Sequence, residues 1–131
     1  MDAEPIRLET GELSIDQVLL LLGTLPLDLT FVDEDGVVRF YSEGYRIFRR
    51  SPEDIGRDAV ECHSPATRSY VSQLFSEFAT GWRDTAEFVE QKDGRMVSVK
   101  YIAVRDSDGT YRGVLEIAQY LDELGAGPGG L

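Results

Sequence analysis

The chain has 131 residues, 42% of them hydrophobic, and a single cysteine, Cys62. This length supports one domain with its own core and excludes two ordinary ones, and a lone cysteine excludes an internal disulfide. The formal net charge of −11 repels polyanions, so neither nucleic acid nor an anionic membrane is an expected partner.

Residues 1–13 are acidic and are predicted to form a flexible arm. They lack the basic segment that opens a secretory signal. The longest apolar run, Val18–Leu22, is far shorter than the roughly 20 residues that cross a bilayer. The sequence therefore indicates a cytoplasmic protein. Its carboxylate-rich, lysine-poor composition fits either an ordinary soluble surface or a halophilic source.

A short N-terminal helix is predicted over residues 14–23. Ser14 as N-cap and Gln17 three residues later form a capping-box pattern, and Gly23 with Pro26 marks the end. The segment is apolar on more than one side, so we expect it to pack against the domain's own sheet or against a second copy of the chain in a homodimer. The face expected at the dimer interface consists of Ile15, Val18, Leu19 and Leu22.

Two strands and their turn follow the helix. Leu29–Asp33 and Val37–Tyr41 are rich in β-branched and aromatic residues, and Asp35-Gly36 between them is typical of a tight hairpin turn. Gly44–Phe48 is predicted to form a single helical turn.

The middle of the chain reads as helical. Ser51-Pro52 begins a short turn that Gly56 ends, and Ser64-Pro65 begins a helix that runs to about Thr80, where Gly81 is the expected C-cap. One stripe of this helix is apolar and is expected to face the core. Its members are Tyr70, Val71, Leu74, Phe75 and Phe78.

The last part of the chain reads as a three-stranded meander. The strands are predicted at Thr85–Gln91, Met96–Val104 and Tyr111–Leu121, with turns at Asp93-Gly94 and Asp108-Gly109. Residues 125–131, which are rich in glycine, are predicted to form a flexible tail. Five antiparallel strands with helices on one face make an α+β layer.

This order of elements resembles the PAS fold, in which the five-stranded sheet has the order 2-1-5-4-3. The stretches that carry the resemblance are Leu27–Gly36, Arg50–Gly56 and Val104–Gly113, and their order and spacing are more specific than any one of them. The resemblance implies a single PAS domain over residues 14–124, with its N-terminal helix at 14–23 and its core at 25–121.

Within the PAS family, the chain is similar to a subgroup that is often fused to hemerythrin-like domains. Similar stretches are Phe40–Gly44, Ile47–Pro52, Glu61–Pro65 and Tyr101–Asp106. The subgroup tends to carry two prolines after Cys-His, where this chain has Ser64-Pro65. The resemblance implies a sensory module whose output passes to a signalling partner protein through contacts or dimerisation.

Cys62-His63 is the pair with the most chemistry, since it joins the only cysteine to the only histidine. His63 is a candidate axial ligand for haem, because histidine is a common ligand of haem iron and some PAS pockets hold haem. The alternative is structural: His63 closes a loop by hydrogen bonds and Cys62 is a small core residue. One cysteine and one histidine fall short of a zinc site. Cys62 is also similar, in position only, to the chromophore-attachment cysteine of photoactive yellow protein.

Aromatic and polar residues are expected to line a pocket between the helices and the sheet. An ordinary solid core is the alternative for most of them, whereas a buried phenol such as that of Tyr101 needs a polar partner. The pocket candidates are Tyr41, Tyr45, Phe48, Cys62, His63, Phe75, Phe88 and Tyr101.

Arg49-Arg50 is expected to bind an anion, to pair with nearby acids or to stay solvated.

No catalytic constellation is predicted, so the chain is expected not to be an enzyme. The function that the sequence favours is a stand-alone PAS sensory module that binds a small ligand, with haem as one candidate. The alternative is a ligand-free domain for protein–protein interaction or dimerisation.

Overall fold

The structure is a computed structural model that describes residues 4–124. Single turns of 3-10 helix lie at Pro52–Asp54 and Leu121–Glu123. The strands and helices in chain order are β1 (Ile6–Leu8), β2 (Gly11–Leu13), α1 (Ile15–Thr24), β3 (Asp28–Asp33), β4 (Val38–Tyr41), α2 (Pro65–Thr80), β5 (Thr85–Lys92), β6 (Arg95–Arg105) and β7 (Tyr111–Tyr120).

The main sheet has five antiparallel strands in the order β4-β3-β7-β6-β5. Counted from β3, this is the order 2-1-5-4-3, which confirms the predicted α+β fold. The first hairpin joins the last strand through a ladder in which Asp28 lies opposite Ala118 and Asp33 opposite Gly113. The hairpin and the meander are therefore parts of one sheet.

Helix α2 covers the inner face of this sheet. Its span agrees with the predicted one, and Gly81 ends it with a φ of 82°, a left-handed conformation that glycine adopts without strain. Val71, Leu74 and Phe78 of the helix are buried. Tyr70, which shares the predicted stripe, lies at the edge of the sheet with 49% of its surface exposed.

Helix α1 begins as predicted. The side chain of Ser14 accepts a hydrogen bond from the backbone N–H of Gln17, and the Gln17 side chain accepts one from the N–H of Ser14. No residue of this helix is buried, so the domain's own sheet does not cover it. Of the face expected at a dimer interface, Ile15 and Leu19 are exposed, and Val18 and Leu22 are half-buried.

Two local predictions are wrong. Residues 6–13 are not a flexible arm, because β1 and β2 pair as a small antiparallel hairpin from Ile6 to Leu13. Residues 44–48 form no helical turn, because the carboxylate of Asp28 accepts the backbone N–H groups of Ile47 and Phe48 and holds this loop open against the sheet. The predicted flexible tail at 125–131 lies outside the described residues.

Candidate ligand-binding site

A cavity of about 730 Å³ lies between the first half of α2, the loop that follows β4 and the inner face of the sheet. The helix start positions its rim, because Ser64-Pro65 begins α2 directly after the loop that carries His63. The lining residues are Phe48, Arg49, Arg50, Cys62, His63, Ser64, Ala66, Thr67, Tyr70, Val71, Phe88, Glu90, Val99, Tyr101 and Glu116.

The structure brings five of the eight predicted pocket residues to this cavity, namely Phe48, Cys62, His63, Phe88 and Tyr101. The other three lie elsewhere. Tyr41 packs beneath the guanidinium of Arg46, whose Cζ is 5.4 Å from the ring centre. The hydroxyl of Tyr45 donates to the carboxylate of Glu123, in the 3-10 turn at Leu121–Glu123.

Phe75 lies behind the cavity wall. Its ring meets the ring of Tyr101 edge-on, with ring centres 6.3 Å apart. Phe75 therefore supports the position of Tyr101 without lining the cavity.

His63 is held by the loop from which it projects. Its Nδ1 lies 2.8 Å from the carbonyl oxygen of Ala59, which can only accept, so Nδ1 carries a proton. Its Nε2 lies 3.3 Å from the hydroxyl of Tyr101. In the neutral ring Nε2 is an acceptor, and the Tyr101 hydroxyl donates to it. This contact supplies the polar partner that a buried phenol needs.

A buried ion pair forms the floor of the cavity. Arg50 Nη2 lies 3.1 Å from Glu116 Oε1, and their side chains are only 13% and 10% exposed. The other carboxylate oxygen of Glu116 lies 3.9 Å from His63 Nε2. Arg50 thus pairs across the domain with Glu116, and it is not part of a solvated surface.

The pKa values of this cluster follow from burial and from these neighbours. Burial raises the pKa of Glu116, but the hydrogen-bonding and charge contributions of His63, Arg50 and Tyr101 outweigh it and lower the pKa. Burial lowers the pKa of His63, but Glu116 and the Ala59 carbonyl outweigh it and raise the pKa above 6.5. Burial and the charge of Glu116 raise the pKa of Tyr101. Glu116 is therefore a carboxylate at neutral pH and Tyr101 a neutral phenol.

Aromatic rings form one wall of the cavity. The ring of Phe88 lies between two tyrosines, with ring centres 6.1 Å from Tyr70 at 85° and 6.0 Å from Tyr101 at 30°. Phe48 adds a fourth ring from the loop after β4. A flat apolar group is well suited to such a wall.

Metal binding has limited support from the side chains. Within residues 4–124, no group of three or more His, Cys, Asp and Glu side chains is placed to hold a metal ion. Haem would need one axial ligand, which His63 could supply through Nε2. The Nδ1–H of His63 donates to a backbone carbonyl, and metal-bound histidines commonly make such a bond. That same Nε2, however, faces the Tyr101 hydroxyl and the Glu116 carboxylate. Cys62 is half-buried, and burial raises the pKa of its thiol, which lowers its reactivity.

The sequence prediction missed Glu116. One signal for it was present in the sequence. Alternate residues of a strand point to one side, so Glu116 shares the inner face of β7 with Val114 and Ala118, which are both fully buried. A carboxylate in that series is out of place unless it has partners.

Comparison with known proteins gives a consistent result. A family model described as a PAS domain matches residues 18–122. The crystal structure of a C-terminal domain from Streptococcus mutans is 33% identical and has a TM-score of 0.84, with 92% of this chain and 95% of that chain covered. A search of curated proteins found no match.

Two solved structures share the fold at lower identity. The sensory box sensor histidine kinase from Vibrio cholerae is 17% identical with a TM-score of 0.57, covering 81% of this chain and 91% of that chain. The PAS domain of a protein from Colwellia psychrerythraea is 17% identical with a TM-score of 0.59, covering 82% and 96%. None of the helices within residues 4–124 is both long and apolar enough to cross a membrane. The strand order, the cavity beneath α2 and the match over residues 18–122 lead to one conclusion: the chain belongs to the PAS domain family.

Proposed function

We propose that this PAS domain is a sensory module that binds a small molecule in the cavity between α2 and the sheet. The observation that carries the proposal is the cavity itself. Its volume of about 730 Å³ falls among those of small-molecule sites, and apolar and aromatic walls with a few polar groups are typical of them. The alternative, a ligand-free interaction domain, would leave this volume with no role in function.

The second part of the proposal is that the domain binds its ligand and catalyses no reaction. The titratable groups at the floor, His63, Tyr101 and Glu116, contact one another and Arg50. These contacts hold the groups in fixed positions, where they can shape the cavity and orient a ligand. The domain is therefore proposed to be a receptor and not an enzyme.

Haem remains a candidate within this proposal. Ligation by His63 would require Nε2 to exchange its contact with the Tyr101 hydroxyl for iron, beside the carboxylate of Glu116. A Soret band in freshly purified protein from iron-containing medium would establish haem. A colourless protein that retains another small molecule would exclude it as the resident ligand.

Output is proposed to pass through a homodimer formed by α1, with a signalling protein as a further partner. Leu19 and Leu20 of this helix are 62% and 68% exposed, and a second copy of the helix would cover them. Changing both to Glu should convert dimers to monomers in sedimentation velocity, whereas Trp82→Glu, at an exposed position outside α1, should not. A dimer that survives the double change would reject this interface.

Two further properties stay predictions: membership of the subgroup fused to hemerythrin-like domains and a cytoplasmic location.

The ligand proposal has a direct test. Ala66 and Ser69 are both exposed on α2, but only Ala66 lines the cavity. Native mass spectrometry of the freshly purified domain should detect a retained small molecule, which Ala66→Trp should expel and Ser69→Trp should keep. Retention that is the same in both variants, or no retained molecule in any of the three proteins, would favour the ligand-free alternative.

A further inference from the structure

We infer that the ligand of this cavity is an uncharged, planar aromatic molecule that carries one hydroxyl or N–H group. The inference rests on the proposed function, and it assigns the chemical class of the ligand. Three features of the lining carry it: the pairing of its charges, the arrangement of its rings and one hydroxyl.

The first feature is that the charges at the floor of the cavity are already paired. Arg50 and Glu116 neutralise each other there, and His63 in its neutral form adds no charge beside the same carboxylate. The two other charged lining residues, Arg49 and Glu90, have opposite signs and are exposed to water. At the floor, an ionic ligand would therefore lose its hydration and find no free opposite charge in return.

Hydrogen bonding supports the same conclusion. Across the part of the chain that the structure describes, every buried side-chain nitrogen or oxygen has a partner. The cavity therefore does not demand a ligand rich in polar groups. A molecule that mostly buries apolar surface gains the most on entry.

The second feature is the row of rings along α2, β5 and β6. Tyr70, Phe88 and Tyr101 stand with successive ring centres 6.1 and 6.0 Å apart, in edge-on and tilted contacts. A further aromatic ring extends such a series through offset or edge-to-face contacts, which a saturated ring of similar size cannot make. The wall therefore selects a flat aromatic molecule.

The third feature is the hydroxyl of Tyr101, a residue of β6 that lines the cavity. When it donates to His63 Nε2, its oxygen still has an accepting lone pair. A ligand hydroxyl or N–H can donate to that lone pair. One such group orients the ligand and adds no charge.

The test uses four two-ring probes and isothermal titration calorimetry on the whole chain at pH 8.5, where His63 carries less charge than at neutral pH. The probes are 2-naphthol, naphthalene, 2-naphthoate and decahydro-2-naphthol. We expect 2-naphthol to bind with a dissociation constant roughly tenfold lower than that of the saturated alcohol, since it gains the ring contacts. It should also bind more tightly than 2-naphthoate, whose carboxylate finds no free positive charge at the floor.

Tyr101→Phe separates the polar contact from the ring contacts. It should weaken 2-naphthol binding by roughly fivefold, the worth of one hydrogen bond, and leave naphthalene binding unchanged. Tyr111→Phe, on β7 and outside the cavity lining, is the matched control and should change neither. Tighter binding of 2-naphthoate, equal binding of the saturated alcohol, or equal losses in the two tyrosine variants would overturn the inference.

Failure here is distinguishable from failure of the proposed function. If native mass spectrometry finds a retained molecule that Ala66→Trp expels, yet 2-naphthol does not bind, the ligand class is wrong and the receptor function stands. If no molecule is retained and no probe binds, both are wrong.

Discussion

Replacing Glu116 by Gln removes one negative charge from the floor of the cavity and keeps the shape of the side chain. In the folded domain Glu116 Oε1 lies 3.1 Å from Arg50 Nη2, and both side chains are nearly out of water. An arginine guanidinium is a permanent cation in proteins. In the variant it therefore stays charged in the interior without an opposite charge.

The size of the effect follows from this burial. Removing one partner of a buried ion pair typically costs about 3–5 kcal/mol. The amide oxygen of Gln can still accept one hydrogen bond, and the Arg50 side chain keeps 13% of its surface exposed, so the lower end applies. We expect Glu116→Gln to reduce the free energy of unfolding by about 3 kcal/mol, measured by urea denaturation at pH 7.

A matched control exists on the surface. Arg112 Nη1 and Glu34 Oε2 are also 3.1 Å apart, but their side chains are 50% and 45% exposed. Glu34→Gln should cost less than about 1 kcal/mol, because water screens that pair. If Glu116→Gln costs no more than Glu34→Gln, the argument from burial is refuted.

A double variant tests the cause of the loss. If the unpaired Arg50 is the source, then Arg50→Met combined with Glu116→Gln should be more stable than Glu116→Gln alone. A double variant that loses the sum of the two single losses would place the cost elsewhere, for example in the contact of Glu116 with His63.

Three further predictions concern pH, the sheet and the first helix. Because the pKa of His63 is raised in the folded state, its contribution to stability is full below pH 6.5 and is lost as the pH rises through the folded pKa. The difference in unfolding free energy between the wild type and His63→Gln, measured by urea titration, should therefore shrink from pH 6 to pH 8.5. A difference that grows over this range would contradict the prediction. A Cβ at Gly113 would overlap the carbonyl oxygen of Val32, so Gly113→Ala should abolish or severely weaken folding, as measured by circular dichroism. Gly109→Ala meets no atom within 4 Å and should cost only about 1–2 kcal/mol for its positive φ. Equal losses in the two variants would refute the steric argument. Ser14→Ala should cost about 1 kcal/mol of local stability in α1, because it removes the side-chain cap on the N–H of Gln17. Amide exchange should become faster in α1 without a matching change in the sheet. Unchanged exchange would show that the cap is not needed.

The elements that the sequence predicted well are those whose signals are local. The capping box at Ser14, the proline that starts α2 at Pro65 and the glycine that ends it at Gly81 each act within one turn of helix. The alternation of apolar residues in β6 and β7 likewise depends only on the strand itself. Family resemblance then supplied the strand order, which no local pattern contains.

The two wrong predictions have different causes. The loop at 44–48 is shaped by Asp28, which is about twenty residues earlier in the chain and lies 2% exposed in β3. The two strands of the hairpin at 6–13 have only three residues each, which is too short for the apolar alternation by which strands are recognised.

The candidate site combines both cases. His63 drew attention because it is the only histidine, but its role depends on Tyr101 and Glu116, which are contributed by two later strands. Sequence neighbours gave no indication that Arg50 would pair with a residue 66 positions away. Such pairs become visible only when the sheet register is known.

The position of Glu116 is more informative about function than the adjacency of Cys62 and His63. Glu116 lies in β7, the central strand, where the register places Thr30 on one side and Tyr101 on the other. An apolar residue there would pack the core without the cost of burying charge. Glu116 interrupts the apolar pattern of β7 at the centre of the inner face, and its partners come from three other segments of the chain. The result is a polar floor beneath the cavity. We take this arrangement as support for the proposed receptor function.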